Sequence, residues 1–178
     1  CKIACLGAVG LYTRAASFIN PENPFMATPT LDVVGIGNAI VDVLAQADDA
    51  FIQQEKLAKG TMALIDQPRA ESLDDKMNAS IEASGGSAAN TIAGIASLGG
   101  KAAYIGKVAD DLLGKVFAHE LRATGVKYET APLKGGPSTA RCLILVTPDA
   151  QRTMNTFLGA SAVFQPIDID AAVVESGQ

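Results

Sequence analysis

Residues 83–114 read ASGGSAANTIAGIASLGGKAAYIGKVADDLLG, and their order of small, apolar and acidic residues decides the fold. Two glycines precede a slim run in which Ile92, Ile95, Ala96 and Leu98 recur at helical spacing. Ser84 is expected to cap this helix, which begins near Ser87 and stops at Gly99, because serine and glycine suit those two ends. KAAYIG then reads as a strand. Asp110 or Asp111 caps a second helix in which Leu113, Val116, Phe117 and Leu121 form the apolar stripe and Gly125 ends the run.

Outward from this block the same alternation continues. LDVVGIGN (residues 31–38) is an apolar run closed by glycines and asparagine, so a strand is expected from Leu31 to Gly35. DDAFIQQEKLAKG predicts a short helix ending at Gly60, TMALID a strand, and residues 69–79 a surface helix. ARCLILV and RTMNTF are two β-rich runs joined by the turn TPDAQ, and PIDIDAAVVESGQ opens a further helix. Strands alternating with helices give an α/β class, with the hairpin as an addition.

The 178 residues suffice for one core. A hydrophobic fraction of 48% with 19% charged residues is a folded, globular balance. The net charge of −5 and pI near 4.8 argue against a sequence-independent nucleic-acid surface. Cys1, Cys5 and Cys142 form no close pair and His119 stands alone, so neither a disulfide framework nor a zinc site is expected, and a reducing cytoplasm fits best. No run reaches the roughly 18 apolar residues that span a membrane. Residues 1–25 make a poor signal peptide and are expected to be an extraneous or disordered leader, with Met26 the natural start and residues 26–178 the folded portion.

Two glycine-rich nucleotide loops can be tested directly. GKAAYIGKV has glycine spacing one too long for a phosphate-wrapping Walker loop, and Val108 stands where that loop needs a hydroxyl. GIGNAI supplies two glycines of a dinucleotide fingerprint but has Ile40 in place of the third, which leaves a Rossmann module as a weaker alternative. SGGSAAN meets a different requirement. Adjacent glycines let a ligand approach backbone, and Asn90 offers both a donor and an acceptor in the first helical turn. The same residues serve equally as a tight turn with close helix packing.

Over residues 31–178 the chain resembles the ribokinase/PfkB family of carbohydrate and nucleoside kinases. The resemblance rests on DVVGIGNAIVD, on GGSAANTIAGIASLGGKAAYIGKVADDLLG and on RTMNTFLGAS; within the family GNAIVD is most similar to the adenosine-kinase branch. It implies the N-terminal part of a Rossmann-type α/β/α domain with a small β-sheet lid, whose strands fall at Thr61–Ile65 and Ala140–Phe157. It also implies that Asn38 and Asp42 hold the hydroxyls of a nucleoside or sugar and that Gly85, Gly86 and Asn90 grip the same acceptor. Cys142, Arg152 and Asn155 complete the expected substrate set, although Cys142 reads as well as a small buried residue and Arg152 as surface charge. Lid strands with open edges are candidate homodimer surfaces.

Family members run to roughly 300 residues, the length of one large domain. The Gly-Ala-Gly-Asp turn that carries their catalytic aspartate is absent from this sequence. The resemblance therefore implies that this chain is an acceptor-binding half, that the catalytic aspartate and most of the ATP and Mg2+ sites lie beyond Gln178, and that the chain is inactive alone. A non-catalytic nucleoside- or sugar-binding module is the alternative.

Overall fold

The computed structural model describes residues 3–4, 29–77 and 80–178. Apart from Ile3–Ala4, the leader expected over residues 1–25 lies outside the described residues. Two sheets organise the chain. The first is parallel, in the order β1 (Ile3–Ala4), β2 (Val33–Ile36), β6 (Ala102–Ile105), β7 (Lys127–Tyr128). The second has five strands in the order β4 (Met62–Leu64), β9 (Arg152–Phe157), β8 (Ala140–Val146), β3 (Ile40–Gln46), β5 (Ile81–Gly85). Its β8–β9 and β3–β5 pairs are antiparallel, whereas β3–β8 and β4–β9 are parallel. This is the α/β architecture with a β-sheet lid that the sequence implies.

Five helices accompany the described strands: α1 (Asp49–Gln54), α2 (Gln67–Asp74), α3 (Ser87–Ser97), α4 (Leu112–Ala123) and α5 (Ala171–Glu175). Asp48, Asp66, Asp111 and Asp170 cap α1, α2, α4 and α5 with their carboxylates. Small residues set the spacing of α3 on the parallel sheet. A Cβ on Gly35 would lie 2.5 Å from Ile92 Cγ1, and one on Gly37 would lie 2.8 Å from the Ala88 methyl. Beside them Tyr104, Phe117 and Tyr128 stack at centroid distances of 5.5–6.0 Å, which adds oriented aromatic contact to area burial. No helix among the described residues is long and apolar enough to cross a membrane.

Four expectations need correction. Ser84 does not cap α3: it lies in β5 and its N–H donates to the Glu120 carboxylate, while Gly86 holds the N-cap position at φ +93° without a side-chain bond. Only glycine enters that left-handed region freely, so the turn from strand to helix takes the second glycine. Leu98 is 90% exposed and belongs to no stripe, because it sits past the last full turn. Helix α1 ends at Gln54, well short of Gly60, which turns at φ +72° into β4. The first strand runs from Val33 to Ile36, with Leu31 in a lone bridge to Gly177.

One polar node ties the parallel sheet to the lid. Asp111 Oδ1 accepts from the Gly114 N–H at 2.8 Å and from the Thr139 hydroxyl at 2.6 Å, and Oδ2 accepts from the Thr139 N–H at 2.8 Å. The Thr139 hydroxyl accepts in turn from the Ala109 N–H at 2.9 Å. Ala109 leaves β6, and Thr139 enters β8, so a single carboxylate joins the helix cap to both sheets.

Candidate active site

Register within the lid brings five strands into one row: Leu64, Thr156, Cys142, Asp42 and Ala83. Side chains alternate between faces along a strand, so Asp42, Cys142 and Thr156 share one face. Val41, Val43, Ala45, Leu143 and Leu145 share the other and are buried with Ile52, Ala70 and Leu73 of the helical layer. The Asp42 face carries the exposed apolar residues Met62, Leu64 and Ile81 at its two edges. A half-buried carboxylate thus sits on a largely apolar sheet surface.

Gly85 makes room for that carboxylate. A Cβ at Gly85 would lie 2.3 Å from Asp42 Cγ and within 2.5 Å of both its oxygens. Gly86 has a similar relation to the preceding turn, where a Cβ would lie 2.8 Å from the Asn38 carbonyl oxygen. The β2–β3 turn with Asn38 and the β5–α3 turn with Gly85 and Gly86 therefore meet where the chain passes between the two sheets. Asn90, exposed in the first turn of α3, follows directly, its N–H bonded to the Gly86 carbonyl at 2.9 Å. Substituting Gly85 with alanine is expected to push the Asp42 carboxylate off its seat, lowering stability by about 1–3 kcal/mol through overpacking. Urea unfolding checks this, and an unchanged midpoint would show that the carboxylate relocates freely.

Burial raises the Asp42 carboxyl above the ordinary carboxylate range, since desolvation penalises the charged form. Among the described residues nothing donates a hydrogen bond to it. Its neighbour Cys142 is buried, and burial first, then the Asp42 charge, pushes the thiol up, against the Thr156 hydroxyl that donates to Sγ at 3.2 Å. This makes Cys142 a quiet thiol at neutral pH.

The expected site residues divide by position. Asn38, Asp42, Gly85 and Gly86 come together at these two turns, Asn90 follows in the first turn of α3, and Cys142 stands in the adjoining strand. Arg152 pairs with Val146 at the far end of β9, four residues along the strand from Thr156. Asn155 stands on the opposite face of the lid, register-paired with Ala63 and 3% exposed. Sequence reading missed Thr156, whose place beside Cys142 depends on hairpin register. It also missed Glu55, which lies 8% exposed beneath Arg69 and Lys76. The acids at 110–111 divide as well: Asp111 caps α4, while Asp110 is exposed. His119 is exposed on α4, and Lys107 pairs with Asp168.

Residues 61–178 match the pfkB family carbohydrate kinase model. The chain is similar to the adenosine kinase of Sinorhizobium meliloti, with 54% identity and a TM-score of 0.77 over 83% of this chain and 45% of that one. It is also similar to a probable sugar kinase from Rhizobium etli CFN 42, at 50% identity and TM-score 0.78, covering 85% and 46%. Probable fructokinase-4 of Arabidopsis thaliana is 32% identical over 100 residues, 55% of this chain and 31% of that protein. The chain thus spans less than half the length of these solved structures and about a third of that curated relative. With the family model matching two-thirds of its residues and both solved relatives sharing its two-sheet fold, the chain belongs to the pfkB family of carbohydrate kinases.

Proposed function

We propose that this chain forms the acceptor-binding part of a kinase that transfers the γ-phosphoryl group of ATP to a primary hydroxyl of a nucleoside, with adenosine favoured over a free sugar. The observation that carries this reading is the Asp42 carboxylate, half-buried, without a hydrogen-bond donor among the described residues and cleared by the missing side chain of Gly85. A carboxylate with free acceptor sites, beside accessible backbone and an apolar sheet, suits a ribose diol whose base lies against apolar surface. Asn38 and Asn90 supply further donors and acceptors, Gly85 and Gly86 the close approach, and Cys142 part of the pocket wall. Similarity to an adenosine kinase over most of the chain supports the choice of acceptor. Arg152 and Asn155 are left out of this set because one lies far along the strand and the other faces away.

The phosphoryl donor is Mg-ATP, which supplies the transferred group and the metal charge that offsets it. Among the described residues no group of three His, Cys, Asp or Glu side chains could hold a metal ion. The residues that would hold Mg-ATP are not assigned on this chain. What the chain's own residues do is bind the acceptor, orient its hydroxyl and, through the lid, exclude the water that would compete with it.

Calorimetric titration with adenosine, ribose, fructose and NAD separates the readings. Saturable adenosine binding is expected, without phosphoryl transfer when ATP is added, because the Gly-Ala-Gly-Asp turn is absent from the sequence. Fructose bound more tightly than adenosine would move the acceptor to the sugar class, and NAD binding alone would restore the dinucleotide reading. Detectable ATP-dependent phosphorylation by the purified chain would overturn the assignment of catalysis elsewhere.

A further inference from the structure

The helical side of the lid holds a second cavity, of about 730 Å3, between the end of α1, helix α2 and strands β4 and β9. Its charged lining is Glu55, Lys56, Arg69 and Lys76. Three cations and one carboxylate give the cavity a net charge of +2 on a chain whose net charge is −5. This reversal of sign is local and concave.

The hydrogen-bond inventory of the cavity is lopsided in the same direction. Glu55 is its one anionic acceptor, and both its oxygens are engaged. Arg69 Nη1 donates to one at 2.9 Å, and Lys76 Nζ reaches both at 3.0 and 3.1 Å. The Glu55 backbone carbonyl is taken by Arg69 Nη2 at 2.7 Å. Hydrogen bonds from Arg69 and then Lys76 outweigh burial and hold the Glu55 carboxyl below its ordinary range, so it stays ionised at neutral pH. At the floor, Asn155 is 3% exposed and its side-chain Nδ2 is buried without a hydrogen-bond partner. Natural structures seldom leave such a donor unanswered.

We infer that this outer cavity binds a small dianion with clustered oxygen acceptors, a phosphate or a dicarboxylate, held by Lys56, Arg69, Lys76 and the Asn155 amide. A dianion matches the excess charge, and its oxygens supply the acceptors that the lining lacks. The size and concavity of the site fit a small ligand, and the chain's net charge of −5 disfavours a polyanion such as nucleic acid. Such an anion would bridge the end of α1, helix α2 and strand β9, fastening the helical layer to the lid. It lies on the face of the lid opposite Asp42, so its occupancy is independent of the acceptor assignment.

The test is calorimetric titration of the full 178-residue chain with sodium phosphate and with sodium succinate, at constant ionic strength balanced by chloride. Saturable binding of at least one is expected, accompanied by a melting temperature that rises with anion concentration. The double variant Lys56→Gln, Lys76→Gln should weaken that binding at least about tenfold, as removal of two facing charges requires. Asn155→Ala should weaken it several-fold without changing ionic-strength dependence. Phosphate binding alone or succinate binding alone would each support the site and name its ligand class. Absence of saturable binding with both anions, or binding unaltered in the double-lysine variant, would overturn it. The lysine substitutions are at partly or fully exposed positions, so they decide the matter even if Asn155→Ala fails to fold.

Discussion

Asp42→Ala is expected to weaken acceptor binding about a hundredfold. Two hydrogen bonds from vicinal hydroxyls to an ionised acceptor contribute about 1.5 kcal/mol each, and about 3 kcal/mol corresponds to that factor. On the proposed reading the loss belongs in the dissociation constant, because Asp42 would hold hydroxyls and would not touch the transferred group. Asp42→Asn keeps the shape but replaces one acceptor oxygen with a donor, so it should recover only part of the affinity. pH gives an independent check. Burial raises the folded carboxyl above its ordinary value of 3.8, so affinity should fall as pH drops through that raised value and should stay flat in Asp42→Asn.

The same shift makes a prediction of opposite sign for stability. A carboxyl whose folded pKa is raised costs stability in its ionised form; the cost is absent below the unfolded value and complete above the folded one. At neutral pH, Asp42→Asn should therefore melt higher than the parent while binding acceptor less well. A variant that bound adenosine normally at neutral pH would remove Asp42 from the site. One that lost binding and also melted lower would show that the carboxylate supports the fold instead.

Much of the architecture was legible because it depends on local rules. Helix α4 announces itself through Asp111, its apolar stripe and Gly125, and the β8–β9 hairpin through two β-rich runs and a Pro-Asp turn. Strand β3 was harder to see. Its solvent-side residues alternate between apolar Ile40 and Leu44 and polar Asp42 and Gln46, so IVDVLAQ lacks the clean polar alternation of a half-buried strand, although alternate residues are indeed buried. Strand β5 is short and ends in glycines, and Ser84 imitates a helix cap within it. The site shows a comparable division. Asn38, Asp42 and the glycine pair lie in contiguous motifs, whereas the clearance of Asp42 by Gly85 depends on a pairing across the sheet. The orientation of Asn155 follows from alternation, counted from Thr156, once the register of β9 is known.

Asp111→Ala is expected to cost about 2–4 kcal/mol, because it removes a helix cap and two hydrogen bonds that join the lid to the core. Thr139 is fully buried, so its N–H would be left without an acceptor, and the cost exceeds that of an exposed cap. Asp111→Asn should recover little, since its amide would set a donor against the Thr139 N–H or the Gly114 N–H. Burial alone would raise the Asp111 carboxyl, but the bonds from the Thr139 hydroxyl and the Thr139 and Gly114 N–H groups, with the Arg141 charge, outweigh it and lower the pKa. A lowered folded pKa contributes stability that is present above the unfolded value of 3.8 and is lost as pH falls through the folded value. The difference between parent and Asp111→Ala in urea unfolding should therefore be largest at neutral pH and shrink steadily below pH 3.8. A difference that stayed constant into that acid range would mean that the carboxylate's charge plays no part and that the node acts through packing alone.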